Sequence, residues 1–272
     1  DRIPLRPFQA PLRRGSVCIV TLSACITINE RSVATMQKVF DSMRDQTHDQ
    51  FVIVLDATDP GLADWCRTYW KADPRTVFVQ VDRPKGWRSP VKAWNLGYKA
   101  VRGDLLYCFS SETVQADGNI TRAGKILAEH SGVLFGKAIC SCGPDGHEVN
   151  WSWQAPGNLL CSSAFPRPLG FIWAAPMPQV RSIGGWDEAF DAGFWYDEND
   201  FFFRLWGTGL DFIFDDSVSG IHLHHERPVL ETPAGQAGIQ RNAAYMMAKH
   251  GSLNPMPEKV DDAVAWHDSD TR

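Results

Sequence analysis

Phe51–Asp56 reads FVIVLD, five apolar residues in a row closed by an acid. A strand with one wet face would alternate, so an unbroken run of this kind predicts a strand covered on both faces. The same unit recurs outward from it. Thr76–Val81 (TVFVQV) and Asp104–Ser110 read as later strands and Ser16–Ser23 as an earlier one. Helical patterns lie between them. Val33, Met36, Phe40 and Met43 recur at spacings of three and four, and Leu62, Trp65, Cys66 and Tyr69 share one side of a second helix. A third helix opens at Pro90, which suits a first helical turn, and runs to about Arg102. Thr27 and Glu30 have the spacing of a capping box for the first helix. This alternation predicts an α/β chain: a Rossmann-like, mostly parallel central sheet with helices on both faces. Ligands of such sheets sit beyond the carboxyl ends of the strands. That rule points to Thr21–Ser23, Asp56–Asp59, Asp82–Arg88 and Ser110–Thr113 as the lip of a site.

The second half is less regular. Gly118–His130 reads as a helix and Val133–Ile139 as a strand, whereas Cys140–Pro178 is rich in Trp, Pro, Gly and Ser and has no period. It is too apolar for a linker and is expected to pack over the site as short strands and loops. Asp197–Trp206 reads as a short helix, Asp211–Phe214 and Val218–His222 as edge strands, and Gln236–His250 as a closing helix before a polar tail.

Composition narrows the function classes. The chain has 272 residues, 44% hydrophobic and 11% aromatic, enough to bury a sizeable core and to exclude global disorder. No apolar run approaches the roughly 18–20 residues that span a bilayer, so no integral membrane segment is expected. A formal charge of -5 and a pI of about 5.9 argue against a nucleic-acid partner, while a local basic patch could still hold a small anion. The seven cysteines are odd in number and scattered, with Cys18 and Cys108 inside strand-like runs. They read as buried, reduced thiols of a cytoplasmic protein. Asp1–Arg14 lacks the apolar segment of a signal peptide.

Three segments carry candidate chemistry. In Ile183–Leu205 (IGGWDEAFDAGFWYDENDFFFRL), Asp197, Glu198, Asn199 and Asp200 open an aromatic helix, more polar groups than capping requires. In Ile221–Pro228 (IHLHHERP), His222 and His224 alternate, so on a strand they share a face and could hold a divalent cation. Cys108–Val114 (CFSSETV) places Ser110, Ser111 and Glu112 at the end of the fourth strand. Tryptophans near these segments offer apolar faces and indole donors to a sugar, Trp186 and Trp195 foremost, with Trp87, Trp151 and Trp153 in reserve. Cys140, Cys142, His147 and Cys161 could in principle hold zinc, but the C-x-C spacing is unusual for it and free thiols are expected.

Taken in order, these motifs resemble the family 2 glycosyltransferases of the GT-A fold over roughly Val17 to Pro228. The first strand and its Thr-x-Asn-Arg-like turn are similar to TLSACITINER, the base-reading Asp to Asp56 in IVLDATD, and the basic Gly loop and helix to KGWRSPVKAWNLGYKA. The acidic motif resembles GGWDEAF with YDENDFFFRL, and the metal-binding His resembles His222 or His224. One departure stands out: the family's Asp-x-Asp is Ser110-Ser111-Glu112 here. The resemblance implies an inverting transferase moving a hexose from a UDP-sugar, such as UDP-glucose or UDP-galactose, to a hydroxyl-bearing carbohydrate or protein acceptor. It implies an N-terminal extension over 1–15 and a GT-A unit over 16–230. That unit divides into a nucleotide-binding half (16–113) and an acceptor and metal half (114–230), with a C-terminal helix and tail over 231–272. Glu198 is implied as the base, with Asp197 competing. Thr21, Ser23, Glu30, Asp56 and Ser111 are implied to hold the nucleotide, and Lys85, Arg88 and Lys92 its diphosphate. Gly185, Trp186, Asp187, Trp195 and Asp200 are implied to face substrate. Glu112, His222 and His224 are implied to hold Mn²⁺ or Mg²⁺, unless the basic residues neutralise the diphosphate without a metal. Two readings compete: a decayed GT-A scaffold that only binds nucleotide or carbohydrate, supported by the lost first acid, and a nucleotidyltransferase, whose Gly-rich phosphate loop is missing.

Overall fold

The structure of the protein is a computed structural model and describes residues 20–83, 89–141, 158–225 and 228–254. In chain order the elements are β1 (Leu22–Ile28), α1 (Val33–Met43), β2 (Gln50–Asp56), α2 (Pro60–Trp70), β3 (Thr76–Val81), α3 (Val91–Ala100), β4 (Leu105–Phe109) and β5 (Thr113–Gln115). They continue with α4 (Asn119–Glu129), β6 (Gly132–Cys140), β7 (Leu159–Cys161), β8 (Ile172–Pro176), α5 (Met177–Ser182), α6 (Asp197–Trp206), β9 (Asp211–His222) and α7 (Pro233–His250). Short 3₁₀ turns cover Glu188–Ala192 and Pro228–Glu231.

One sheet runs β3-β2-β1-β4-β8-β6-β9-β5, with β7 beside β6. The β3-β2-β1-β4 portion is parallel, and β2 is buried along its whole length, as its unbroken apolar run requires. β8 then enters antiparallel to β4 and β6, and β9 lies parallel to β6. Two apolar layers cover the sheet. Met36, Phe40 and Cys66 pack on one face with Phe51 and Ile53, while Trp94, Trp186, Phe201 and Phe202 pack on the other with Val52 and Trp173.

Several local expectations are corrected. The first described strand is Leu22–Ile28, so Thr27 lies inside β1 and Glu30 takes a positive φ of 31° in the following turn. The cap of α1 is instead Ser32, whose hydroxyl accepts from the Thr35 amide at 3.0 Å. The two edge strands expected at 211–214 and 218–222 form one strand, β9, seated between β6 and β5 with a register shift opposite Gly136 and Lys137. Its burial changes midway where Asp215, Asp216 and Ser217 interrupt the apolar pattern, which is why the sequence reads as two. The aperiodic segment before Pro178 contributes β7 and the central β8. Cys25, Cys66, Cys108 and Cys161 are buried free thiols. No helix among the described residues is long and apolar enough to cross a membrane.

The AWNLG stretch of α3 lies against β1 and β2 at Gly97. A Cβ there would sit 2.7 Å from Val54 Cγ2 and 3.0 Å from Cys25 Sγ, inside the strands' own side chains. Gly97→Ala is therefore expected to lower stability by about 1–3 kcal/mol through overpacking, despite alanine's better helix propensity. Urea denaturation checks this; equal or higher stability would show that α3 can rise off the sheet freely.

Candidate active site

A cleft of about 320 Å³ opens at the carboxyl ends of β1, β2 and β4, where the strand order turns from β1 to β4. Thr27, Asn29 and Arg31 enter it from the end of β1, Asp56 from β2, and Ser110, Ser111 and Glu112 from the end of β4. The opposite wall is the first turn of α6 with the aromatic residues before it, and His222 and His225 close the base.

The last group is the one best suited to a cation. Glu112, His222 and His225 each offer one ligand atom, and these atoms lie within 4.8 Å of one another. Ligands at right angles on a metal with bonds of about 2.1 Å sit about 3 Å apart, so a small inward movement suffices. Glu112 and His222 are buried, His225 is half-buried, and one carboxylate oxygen with two imidazole nitrogens is a donor set for a divalent ion. The departure from Asp-x-Asp thus leaves an acid in place with two histidines behind it. His224, however, stands apart. β9 ends at His222, so strand alternation stops there; the His224 amide turns to Ser141 Oγ at 2.7 Å, and His225 returns beside His222 with ring centroids 5.5 Å apart.

The acidic helix separates its carboxylates sharply. Asp197 is 9% exposed and accepts from the Ser89 hydroxyl at 2.7 Å; burial pushes its pKa up while the Ser89 bond pulls the other way. Glu198 faces Gly170, whose amide donates to Oε2 at 3.1 Å. A Cβ at residue 170 would lie 2.6 Å from Glu198 Oε1, so a side chain there would push the carboxylate aside. Asp200 is not in the cleft lining. It is fully buried and bound by Arg204 Nε at 2.7 Å, Lys249 Nζ at 2.6 Å and His250 Nε2 at 2.8 Å. Asp187 is also structural: it caps the 3₁₀ turn at the Ala189 amide and takes Tyr245 and Lys249 on its other oxygen. Gly185 accepts Arg204 at its carbonyl, 2.8 Å away. Trp186 lines the cleft but is buried, stacked on Phe201 at 4.2 Å with its indole donating to Tyr98. Trp195 is 48% exposed and lines the cleft. It and Tyr196 adopt consecutive positive φ values of 65° and 63°, with Asn242 of α7 donating to the Trp195 carbonyl at 3.0 Å.

On the nucleotide side the picture changes more. Thr21 and Ser23 lie at the amino end of β1, roughly 20 Å and roughly 13 Å of strand from Thr27 in the cleft. Thr21 bonds Asp104, and Ser23 is buried against Gln50. The sequence-based lip is displaced because the strand starts later than its β-branched run suggested. Glu30 is exposed in the turn next to the cleft. Asp56 lines the cleft, with both carboxylate oxygens on Arg83 (Nε to Oδ1 at 2.5 Å, Nη2 to Oδ2); Arg83 also binds Asp191 at 2.5 Å. Lys92 pairs with Asp191 at 2.9 Å rather than facing the cleft. Ser111 is buried in the lining. Lys85, Arg88, Trp87, Trp151 and Trp153, and the Cys142 and His147 of the zinc grouping, lie outside the described residues. Sequence reasoning passed over Asn29, Arg31, Arg83, Ser89 and His225. Asn29 and Arg31 stand in the quoted Thr-x-Asn-Arg-like turn, His225 is the third His of HLHH, Arg83 lies in the Asp82–Arg88 lip and Ser89 in KGWRSPVKAWNLGYKA, so the segments carried a signal although these residues were not singled out within them.

No protein-family model matches the chain, and no curated protein sequence matches it. Solved structures do. Mannosyltransferase PcManGT from Pyrobaculum calidifontis, solved with GDP-Man and Mn²⁺, is similar at 14% identity and TM-score 0.57 over 84% of this chain and 64% of its own. GalNAc-T7, solved with UDP, GalNAc and Mn²⁺, is 12% identical with TM-score 0.59 over 89% of this chain and 52% of its own. S. aureus TarS residues 1–349 with UDP-GlcNAc is 12% identical with TM-score 0.57 over 84% of this chain and 67% of its own. The chain thus spans between half and two thirds of the lengths of these proteins.

Two measurements test the carboxylate assignments. A buried carboxyl whose folded pKa is raised favours folding below the ordinary aspartate range and loses that contribution as pH rises through the folded value. Asp197→Asn, which can still accept from Ser89, is expected to be the more stable protein at pH 7, with the gap closing toward pH 3 in thermal melts. Asp200→Ala removes the shared partner of Arg204, Lys249 and His250 and is expected to cost about 3 kcal/mol in denaturant titration; an unchanged midpoint would return Asp200 to the substrate side. The fold around this cleft is the GT-A fold of the glycosyltransferases named above.

Proposed function

We propose that the chain is a nucleotide-sugar-dependent glycosyltransferase. It moves a hexose from a UDP-sugar, UDP-glucose or UDP-galactose first among them, to a hydroxyl of a carbohydrate or protein acceptor, by single displacement with inversion. The observation that carries this reading is the juxtaposition in one cleft of the Glu112, His222 and His225 group with the carboxylates of Asp197 and Glu198. The similar structures support it, since they were solved with GDP-Man and Mn²⁺, with UDP, GalNAc and Mn²⁺, and with UDP-GlcNAc.

The roles follow from what each residue touches. Glu198 accepts the acceptor's proton as the new bond forms, with the Gly170 amide holding its second oxygen. Asp197 is engaged by Ser89 and buried, so it shapes the turn and orients the acceptor rather than serving as the base. Trp195 offers its exposed face to the apolar side of an acceptor sugar. Asp56 reads the imide N–H of uracil with its remaining lone pairs while Arg83 fixes its plane. Held by Glu112, His222 and His225, a divalent cation would neutralise charge on the departing diphosphate. Two imidazoles favour Mn²⁺ over Mg²⁺, which prefers oxygen ligands. Residues 16–113 then form the nucleotide half and 114–230 the acceptor and metal half, with α7 bracing the latter.

The test is release of free nucleotide from a panel of UDP-sugars with and without Mn²⁺, run on the protein and on Glu198→Gln. Mn²⁺-dependent release is expected, and Glu198→Gln should lower turnover by about 10²–10⁴-fold with UDP affinity unchanged. Full activity of Glu198→Gln would remove it as base. Tight UDP binding without turnover of any donor would favour the binding-protein reading.

A further inference from the structure

Arg31 is the one lysine or arginine among the described residues that line the cleft; Arg83 and Lys92 are committed to Asp56 and Asp191 nearby. Its guanidinium does not face open space. Nη2 is ion-paired with Glu112 Oε1, the carboxylate of the proposed cation group, and the two side chains are 16% and 5% exposed. His225 Nε2 approaches the same Oε1 at 3.7 Å, so guanidinium and imidazole converge on one oxygen. The other arm of the guanidinium is tethered to its own turn, Nη1 donating to the carbonyls of Asn29 at 3.1 Å and Glu30 at 3.3 Å. Arg31 is therefore a cation already placed against the group that would receive a second one.

We propose that Arg31 competes with a divalent cation for Glu112 and is drawn off it by the donor's diphosphate, so that cation and nucleotide bind cooperatively. The inference rests on the cation group of the proposed function and deepens it. A guanidinium and a divalent ion cannot share one buried oxygen without strong repulsion. A diphosphate offers Arg31 a better partner, because guanidinium pairs bidentately with phosphate oxygens. Arg31 is anchored at its turn and has only to redirect Nη2. The departure from Asp-x-Asp gives this competition weight: with Ser110 in place of the first acid, Glu112 is the sole carboxylate of the group, so whatever occupies it decides whether a cation binds.

The experiment is Mn²⁺ binding by electron paramagnetic resonance, without turnover, on the full chain, Arg31→Met, Arg31→Lys and Glu112→Ala, each with and without UDP. Without UDP, Arg31→Met is expected to bind Mn²⁺ about tenfold tighter than the unsubstituted protein, while Arg31→Lys, which keeps the charge, stays near it. UDP should tighten Mn²⁺ binding about tenfold in the unsubstituted protein, Mn²⁺ should tighten UDP binding by the same factor, and both effects should shrink in Arg31→Met. Arg31→Met binding Mn²⁺ no tighter than the unsubstituted protein overturns this inference while leaving the cation group standing, and so does tightening in both Arg31→Met and Arg31→Lys with undiminished UDP coupling. Mn²⁺ binding that survives Glu112→Ala, or no Mn²⁺ binding by any of the proteins, overturns the cation group itself and the inference with it. Should Arg31→Met not fold, Arg31→Gln carries the same expectation.

Discussion

The ion cluster around Asp200 is the constraint on which the site depends. A carboxylate buried without exposure is tolerable only when paired, and Asp200 is paired three times, by Arg204 one turn along α6 and by Lys249 and His250 from the end of α7. This cluster pins α6 to α7. Lys249 also reaches Asp187, so the 3₁₀ turn before α6 is held by the same cation. With α6 immobilised from below, its first-turn neighbours Asp197 and Glu198 are free to be presented to the cleft. α7 thus supports the cleft although none of its residues is in the cleft lining.

The strained turn before α6 belongs to the same scheme. Two consecutive aromatic residues at positive φ are costly, of order 1 kcal/mol or more each. Asn242, itself buried, holds the turn through the carbonyls of Phe190 and Trp195. What the strain accomplishes is the exposure of Trp195 at the cleft while Trp186, nine residues earlier, is folded into the core against Phe201.

Across the cleft, charge is arranged in pairs. Asp56 is matched with Arg83, Asp191 with Arg83 and Lys92, and Glu112 with Arg31. A cleft proposed to receive a diphosphate and a cation has to neutralise its own charges. These pairings do so at the lip of the sheet, where the strand ends leave room for a ligand.

Periodicity and composition sufficed for the parallel half of the sheet, its flanking helices, and the end of the sheet at which the cleft opens, because FVIVLD, TVFVQV and the three- and four-spaced helices carry their burial pattern locally. The carboxylates of YDENDFFFRL were legible as a cluster, and so were a histidine at the end of β9 and an acid after β4. What each member does was not, since neighbours in a first helical turn point in different directions: Asp200 into the ion cluster, Asp197 to Ser89, Glu198 to Gly170. Strand ends blurred as well, because apolar β-branched residues continue beyond the paired segment; that misplaced Thr21 and Ser23. The choice of His225 over His224, the pairing of Arg83 with Asp56, and the insertion of Arg31 against Glu112 join residues that are far apart in the chain or lie just past a strand end. Local sequence governs which segments become strands and helices. Contacts between distant segments govern which of their polar side chains are consumed in holding the fold and which are left facing a ligand.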